Sequence, residues 1–253
     1  MHAAVTSFRL LFCAGAFSLC AAAPLAAESA PCRVDDYEQK SFVVCEFDLA
    51  RYELKLFWKK PGGEVYGSLQ NIPHGERANA DSLAFATNGG MYRPDRSPVG
   101  LYIENGRELS RADTASASGN FYLKPNGIFF VRGNSAGILE TGRFLRERPQ
   151  ADFATQSGPM LVIGGRLHPR FLADSNSLKI RNGVGLSDAK KVVFAISNDP
   201  VTFMQFGKLF RDRLHCADAL YLDGSISSIY APSVRRADSL WSLGPIIAVY
   251  ERD

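Results

Sequence analysis

Three observations predict an α+β fold, a single compact domain with a β-rich mixed-sheet core and a few helices. Ten short runs have the length and composition of strands, turn residues separate them, and one segment carries clear helical periodicity. Many strands with few helices favour this class over a doubly wound sheet.

The chain starts with a segment set apart from that fold. Arg9 precedes a charge-free run from Leu10 to Ala27, apolar at first and then rich in alanine. A short basic region, an apolar stretch and a small-residue cut site describe a secretory leader. The expected organisation is therefore a signal peptide over residues 1–27, cut after Ala23 or Ala27, and a domain over 28–253. The apolar part is short for a bilayer span, which needs about 20 residues, and Pro24 interrupts it. Export to the periplasm or beyond follows, with no stable membrane insertion after cleavage.

The strand-like runs are residues 42–47, 53–58, 83–86, 100–103, 127–131, 160–163, 184–187, 192–196, 219–222 and 246–250. Pro61-Gly62-Gly63, Asn105-Gly106, Asn126-Gly127 and Gly164-Gly165 mark turns between them. Asn105-Gly106, flanked by apolar residues, is a hairpin signal. Phe203, Phe206, Leu209, Phe210 and Leu214 share one face of a helix over 201–214, which starts after Asp199-Pro200. A weaker helical pattern covers 72–80.

The composition is that of an ordinary globular protein, 46% hydrophobic and 22% charged. A net charge of +3 with scattered basic residues excludes a nucleic-acid stripe. An oxidising compartment permits disulfides, so Cys32 and Cys45 are candidates for a local clip. Cys216 is then left over and reads as a buried inert thiol.

Four polar, glycine-rich segments follow or precede apolar strands. In Asn88-Gly89-Gly90-Met91 the paired glycines allow a sharp turn or a close approach to a ligand, and Asn88 both donates and accepts. Its ordinary reading is a bulge or turn. Gln156-Ser157-Gly158-Pro159 reads as a substrate-binding loop, because it lacks the nucleophile-elbow pattern and no triad partner is evident. Arg181-Asn182-Gly183-Val184-Gly185 offers a planar cation for a phosphate, against a lone surface Arg. Leu222-Asp223-Gly224-Ser225 ends a strand with a carboxylate, fit for a general base or a metal ligand, against an Asx-turn.

The four segments in this order resemble the phosphodiester glycosidase family over residues 42–250, and the stretches at 100–106 and 120–127 resemble its compact bacterial exported branch. Ser225 stands where many members carry a second glycine. The resemblance implies hydrolysis of a sugar-1-phosphodiester, with the glycosidic bond broken and a phosphate monoester released. It places Asp223, Arg181 and Asn88 in the catalytic set: Arg181 on the phosphate, and Asp223 activating water or stabilising the cation. Asn88, Gln156 and Asn182 would meet sugar hydroxyls, with Gly89, Gly90, Ser157, Gly158, Gly224 and Ser225 completing the substrate loops. Glu104 is a second candidate carboxylate, with an exposed place beside a turn as its ordinary reading.

No cofactor is required by this chemistry, although Asp223 with nearby hydroxyls and carbonyls can hold Ca²⁺ or Mg²⁺. The partner implied is a carbohydrate phosphodiester. Trp58, Tyr92, Tyr230 and Trp241 are candidates for stacking on sugar rings, with burial in the core as their ordinary fate. The alternative is a non-catalytic periplasmic module that holds a glycan on the same loops. A phosphodiesterase cutting the P–O bond suits Arg181 but lacks a two-metal ligand set.

Overall fold

The computed structural model describes residues 1–4, 30–75, 82–224 and 226–252. Most of the leader expected over 1–27 lies outside the described residues, as does Ser225. The first part of the chain forms β1 Cys32–Tyr37, β2 Lys40–Asp48, β3 Tyr52–Phe57, β4 Leu83–Asn88, β5 Tyr102–Glu104 and β6 Arg107–Ser110. Next come β7 Gly127–Arg132, β8 Ser135–Glu140, helix α1 Thr141–Glu147, β9 Phe153–Ser157, β10 Met160–Ile163 and β11 Arg166–Leu167. The last part holds β12 Asn182–Asp188, β13 Lys191–Ser197, helix α2 Phe203–Lys208, β14 Asp218–Tyr221, β15 Ile229–Ala231, β16 Arg236–Ala237 and β17 Ile246–Glu251.

These strands make three sheets, ordered β1-β2-β13-β12-β14-β10-β11, β16-β15-β4-β17-β3 and β6-β5-β9-β7-β8. The core is β-rich as expected, and every strand pairing among the described residues is antiparallel, which narrows the mixed sheet of the sequence reading. Strand alternation explains the layering, because successive side chains point to opposite faces. Val192, Phe194 and Ile196 of β13 join a central core shared by all three sheets. Val193 and Ala195 face an outer layer with Phe206, Leu209 and Phe210 of the α2 segment. In β17, Ile247 and Val249 face the centre while Ile246, Ala248 and Tyr250 face a third cluster. Both faces of these strands are therefore covered, which is why they read as continuous apolar runs.

All ten expected strands are present within a residue or two. The Asn105-Gly106 turn joins β5 to β6 with both residues at positive φ, 52° and 72°. The helix expected over 201–214 begins at a capping box, in which the Thr202 and Gln205 side chains serve each other's backbone N–H. Its second half, Leu209–Arg213, is a π-helical turn. Residues 72–75 are not helical, and 76–81 lie outside the described residues.

Cys32 and Cys45 are directly paired across β1 and β2 and form a disulfide. Cys216 is the free cysteine among the described residues; burial pushes its thiol up to about 12, which keeps it protonated and inert. Closing a 13-residue separation removes roughly 3 kcal/mol of denatured-state entropy in the chain-entropy model. Cys32→Ala/Cys45→Ala is therefore expected to lower Tm by roughly 6–12 °C for a domain of this size. Calorimetry of the double variant, beside the wild type with and without reductant, checks this.

His168 carries a second expectation. It is buried and stacked on Phe171 with ring centroids 4.8 Å apart, and its Nδ1 accepts from the Arg170 N–H at 3.2 Å. Burial holds its pKa below the ordinary 6.5, with backbone contacts at Lys124 and Leu123 opposing the shift. The neutral ring is thus the folded form, and the unfolded chain binds the extra proton first. The stability it contributes is complete above pH 6.5 and is lost as pH falls from there through the folded value. Tm at pH 7.5 and pH 5 should differ less in His168→Gln than in the wild type.

Candidate active site

The site forms where the three sheets meet. β14 ends at Tyr221 in the seven-stranded sheet, and residues 222–228 carry the chain across to β15 in the second sheet. Asn88 closes β4 in that second sheet, Asn182 opens β12 in the first, and Ser157 closes β9 in the third. Each of these three side chains bonds the crossing loop or its foot.

Asn88 and Asn182 pair amide to amide. Asn182 Nδ2 donates to Asn88 Oδ1 at 2.9 Å and to Thr87 Oγ1 at 3.0 Å, and Asn88 Nδ2 donates back to Asn182 Oδ1 at 3.5 Å. The same Asn182 oxygen accepts the Asp223 N–H at 3.2 Å and the Ser227 hydroxyl at 3.4 Å. Asn88 Oδ1 accepts the Ser228 N–H at 3.0 Å, and its amide reaches the Asp223 carbonyl at 3.4 Å. Ser227 Oγ donates to that carbonyl at 3.0 Å, and Thr87 Oγ1 donates to Ser228 O at 2.9 Å. From the third sheet, Ser157 Oγ donates to Leu222 O at 2.6 Å. The backbone on both sides of the Asp223 side chain is thereby gripped by buried amides and hydroxyls, the arrangement that holds a functional group to one geometry.

The motifs are brought together, but several of their side chains do other work than the sequence suggests. Asn88 and Asn182 are each 1% exposed, and their amides are spent on protein partners instead of facing a sugar. Gln156 is equally buried: its Oε1 accepts from the Leu101 and Asp113 N–H groups, and its Nε2 donates to Asp113 O at 2.7 Å and to Thr141 Oγ1 at 3.2 Å. Ser157 is fully buried. These residues build the site from behind.

The glycines serve close backbone approach. A Cβ on Gly90 would stand 2.3 Å from the Gln156 carbonyl oxygen, and one on Gly158 would stand 2.6 Å from Asn126 Cβ. Gly89 lies against Pro245, whose carbonyl accepts its N–H at 2.7 Å. What approaches these glycines is the protein's own chain. Gly224 is similar: a Cβ there would fall 2.0 Å from the Tyr221 hydroxyl and 2.9 Å from the Ile180 carbonyl oxygen, so any other residue would force the Tyr221 ring or the turn to move.

Arg181 is not a surface residue, because it is 1% exposed. Its Nε donates to Val201 O at 2.9 Å and one terminal nitrogen to Ser177 O at 2.8 Å. The guanidinium stacks 3.7 Å from the Phe203 ring centroid and lies 5.5 Å from that of Tyr221, while Nη1 is buried without a hydrogen-bond partner. Burial holds its pKa below the ordinary value, with the Tyr221 hydroxyl opposing. Tyr221 itself is pushed up to about 12 by burial, with Arg181 pulling it down and the charge of Asp223 adding to the rise.

Asp223 is half-buried, and its charge is also felt by Tyr92, whose phenol is raised by burial first and by Asp223 second, while Arg96 opposes. Tyr92 and Arg96 meet at Ser242, where the Tyr92 hydroxyl donates to the carbonyl at 2.7 Å and Arg96 Nε to Oγ at 3.0 Å. In the sequence, Arg93-Pro94-Asp95-Arg96 reads as no more than a turn. Glu104 is half-buried away from this network: it accepts the Tyr102 hydroxyl at 2.7 Å, and burial raises its carboxyl. Among the described residues no three His, Cys, Asp or Glu side chains converge on a metal position. A cation at Asp223 would rest on that carboxylate with hydroxyls and carbonyls.

Comparison with known proteins gives this geometry its context. The model of the family described as phosphodiester glycosidase matches residues 81–250, which span β4, Asn88, Ser157, Asn182 and Asp223. The chain is 38% identical over 180 residues to the uncharacterized protein YigE of Escherichia coli (strain K12), covering 70% of this chain and 69% of that one. Its fold is similar to the catalytic domain of zebrafish N-acetylglucosamine-1-phosphodiester alpha-N-acetylglucosaminidase, auto-inhibited by its pro-peptide, with a TM-score of 0.57 at 15% identity over 87% of this chain and 82% of that one. A hypothetical protein from Synechocystis gives a TM-score of 0.53 at 12% identity over 87% of this chain and 61% of that one. At those identities the solved structures speak for the fold, whereas the family model covers well over half of the sequence and every motif of the site. The chain belongs to the phosphodiester glycosidase family.

Proposed function

We propose that this protein is an exported hydrolase that cleaves the glycosidic bond of a sugar-1-phosphodiester drawn from a glycan or the cell envelope. The observation that carries the reading is the convergence of Asn88, Ser157 and Asn182, one from each sheet, on the loop that presents Asp223. A phosphate leaving group departs without strong acid assistance. The remaining demands are to support an oxocarbenium-like centre and to direct water at the anomeric carbon. Asp223 meets both: it takes a proton from water as the C–O bond to phosphate breaks, giving free sugar and a phosphate monoester.

Positive charge comes from two places. Arg181 provides a buried cation behind the loop, stacked on Phe203 and near Tyr221. We assign the phosphate to Arg96, half-buried over the Tyr92 ring with its Nε on Ser242 Oγ at 3.0 Å. Export is supported by the leader pattern and by the Cys32–Cys45 disulfide, which suits an oxidising compartment. No helix among the described residues is long and apolar enough to cross a membrane.

The test is turnover of a panel of sugar-1-phosphodiesters by the purified protein, with and without EDTA. Release of free sugar with equimolar phosphate monoester, unchanged by EDTA, is expected. Glycan binding by folded protein with no turnover across the panel would assign the chain instead to envelope glycan binding.

A further inference from the structure

Beside the Asp223 loop lies a groove of about 330 Å³ that the motifs do not account for. It is lined by Gly224 and Ser227 of the crossing loop, by Arg236 and Asp238, and by the apolar Ile180 and Trp241. Trp241 is 52% exposed and its neighbour Leu240 is 87% exposed, a large apolar surface to leave in water.

The segment that carries Trp241 is held at both ends. On one side Asp238 accepts the Ile229 N–H at 3.0 Å, receives Arg236 through Nε and Nη2, and offers its carbonyl to Gln70. On the other side Ser242 accepts from the Tyr92 hydroxyl at 2.7 Å and from Arg96 Nε at 3.0 Å, and the Leu243 N–H reaches Gly67 O at 2.8 Å. An indole kept in water on an anchored loop, over hydroxyls and a fixed ion pair, matches a pyranose. Such a ring has an apolar C–H face for an aromatic plate and a rim of hydroxyls for charged and hydroxyl partners. A groove of this volume has room for a sugar ring.

We propose that this groove is the subsite for the sugar ring of the substrate, with Trp241 as its stacking platform and the Arg236–Asp238 pair reading its hydroxyls. The assignment rests on the glycosidase reading and refines it, placing the anomeric carbon at the end of the groove nearest Asp223. Trp241 is then a specificity residue that binds without taking part in bond breaking.

The chain has two tryptophans, and Trp58 is half-buried against the central core, so Trp58→Phe leaves Trp241 as the one indole emitter. Methyl glycosides of N-acetylglucosamine, glucose, galactose and mannose should be titrated into that variant, with glycerol phosphate as the counter-probe. A saturable change in Trp241 emission with at least one glycoside and none with glycerol phosphate is expected. Trp241→Ala should raise KM about tenfold for the substrate with that sugar and leave kcat within about twofold. Emission that follows glycerol phosphate instead, or that no glycoside moves, would overturn the subsite, even where turnover upholds the glycosidase. Emission that follows a glycoside in a protein without turnover would keep the subsite and remove the hydrolase reading.

Discussion

Asp223→Asn is expected to reduce turnover of any sugar-1-phosphodiester substrate by roughly 10²–10⁴-fold, the range for loss of a positioned acid–base group. The fold should survive, because Asn keeps the size of the side chain and retains the backbone N–H and carbonyl that Asn182 and Ser227 hold. The variant should therefore melt within about 2 °C of the wild type, a ΔΔG of at most about 1 kcal/mol for a domain of this size. Initial rates and scanning calorimetry on the same preparation separate the two effects. Full activity in a folded variant would remove Asp223 from the mechanism.

Asn182→Ala is expected to produce the largest stability loss of any single change at the site. Its amide serves Thr87 and Asn88 as donor and Asp223, Ser227 and Asn88 as acceptor. Truncation leaves the buried Asn88 amide and the Asp223 N–H short of partners, at about 1–3 kcal/mol for each unsatisfied group. The sum is about 4 kcal/mol, in the range reserved for broken buried networks, and corresponds to a fall in Tm of about 10 °C. Activity should fall with it, because the crossing loop loses the contact that ties it to β12. Urea unfolding measures the loss directly. A change below about 1 kcal/mol would mean that the amide pair does not hold the loop.

The strands were legible where β-branched and aromatic residues run together, as in Val192-Val193-Phe194-Ala195-Ile196. β8 and β9 were not. In β8, Gly137 interrupts the run because a Cβ there would lie 2.2 Å from the Phe130 ring. In β9, Thr155-Gln156-Ser157 looks polar enough for a loop, yet all three residues are at most 1% exposed. Their polar groups are satisfied by residues far away in sequence, such as Leu101, Asp113 and Leu222. The turn at Glu38 and Gln39, both at positive φ, carries no glycine or asparagine to announce it.

By itself the sequence determined the β-rich class, the disulfide candidates, the family, and the four polar segments of the candidate site. Those properties depend on residue type and local spacing, which are written along the chain. Only the tertiary structure decided what each site residue faces. Asn88 and Asn182 are separated by 94 residues, and Asn88 and Asp223 by 135. Whether an amide meets a ligand or another amide depends on how the three sheets cross at that point. The same crossing buried Arg181 against Phe203, left Trp241 in water over a groove, and set Asp223 on a loop held from three sides.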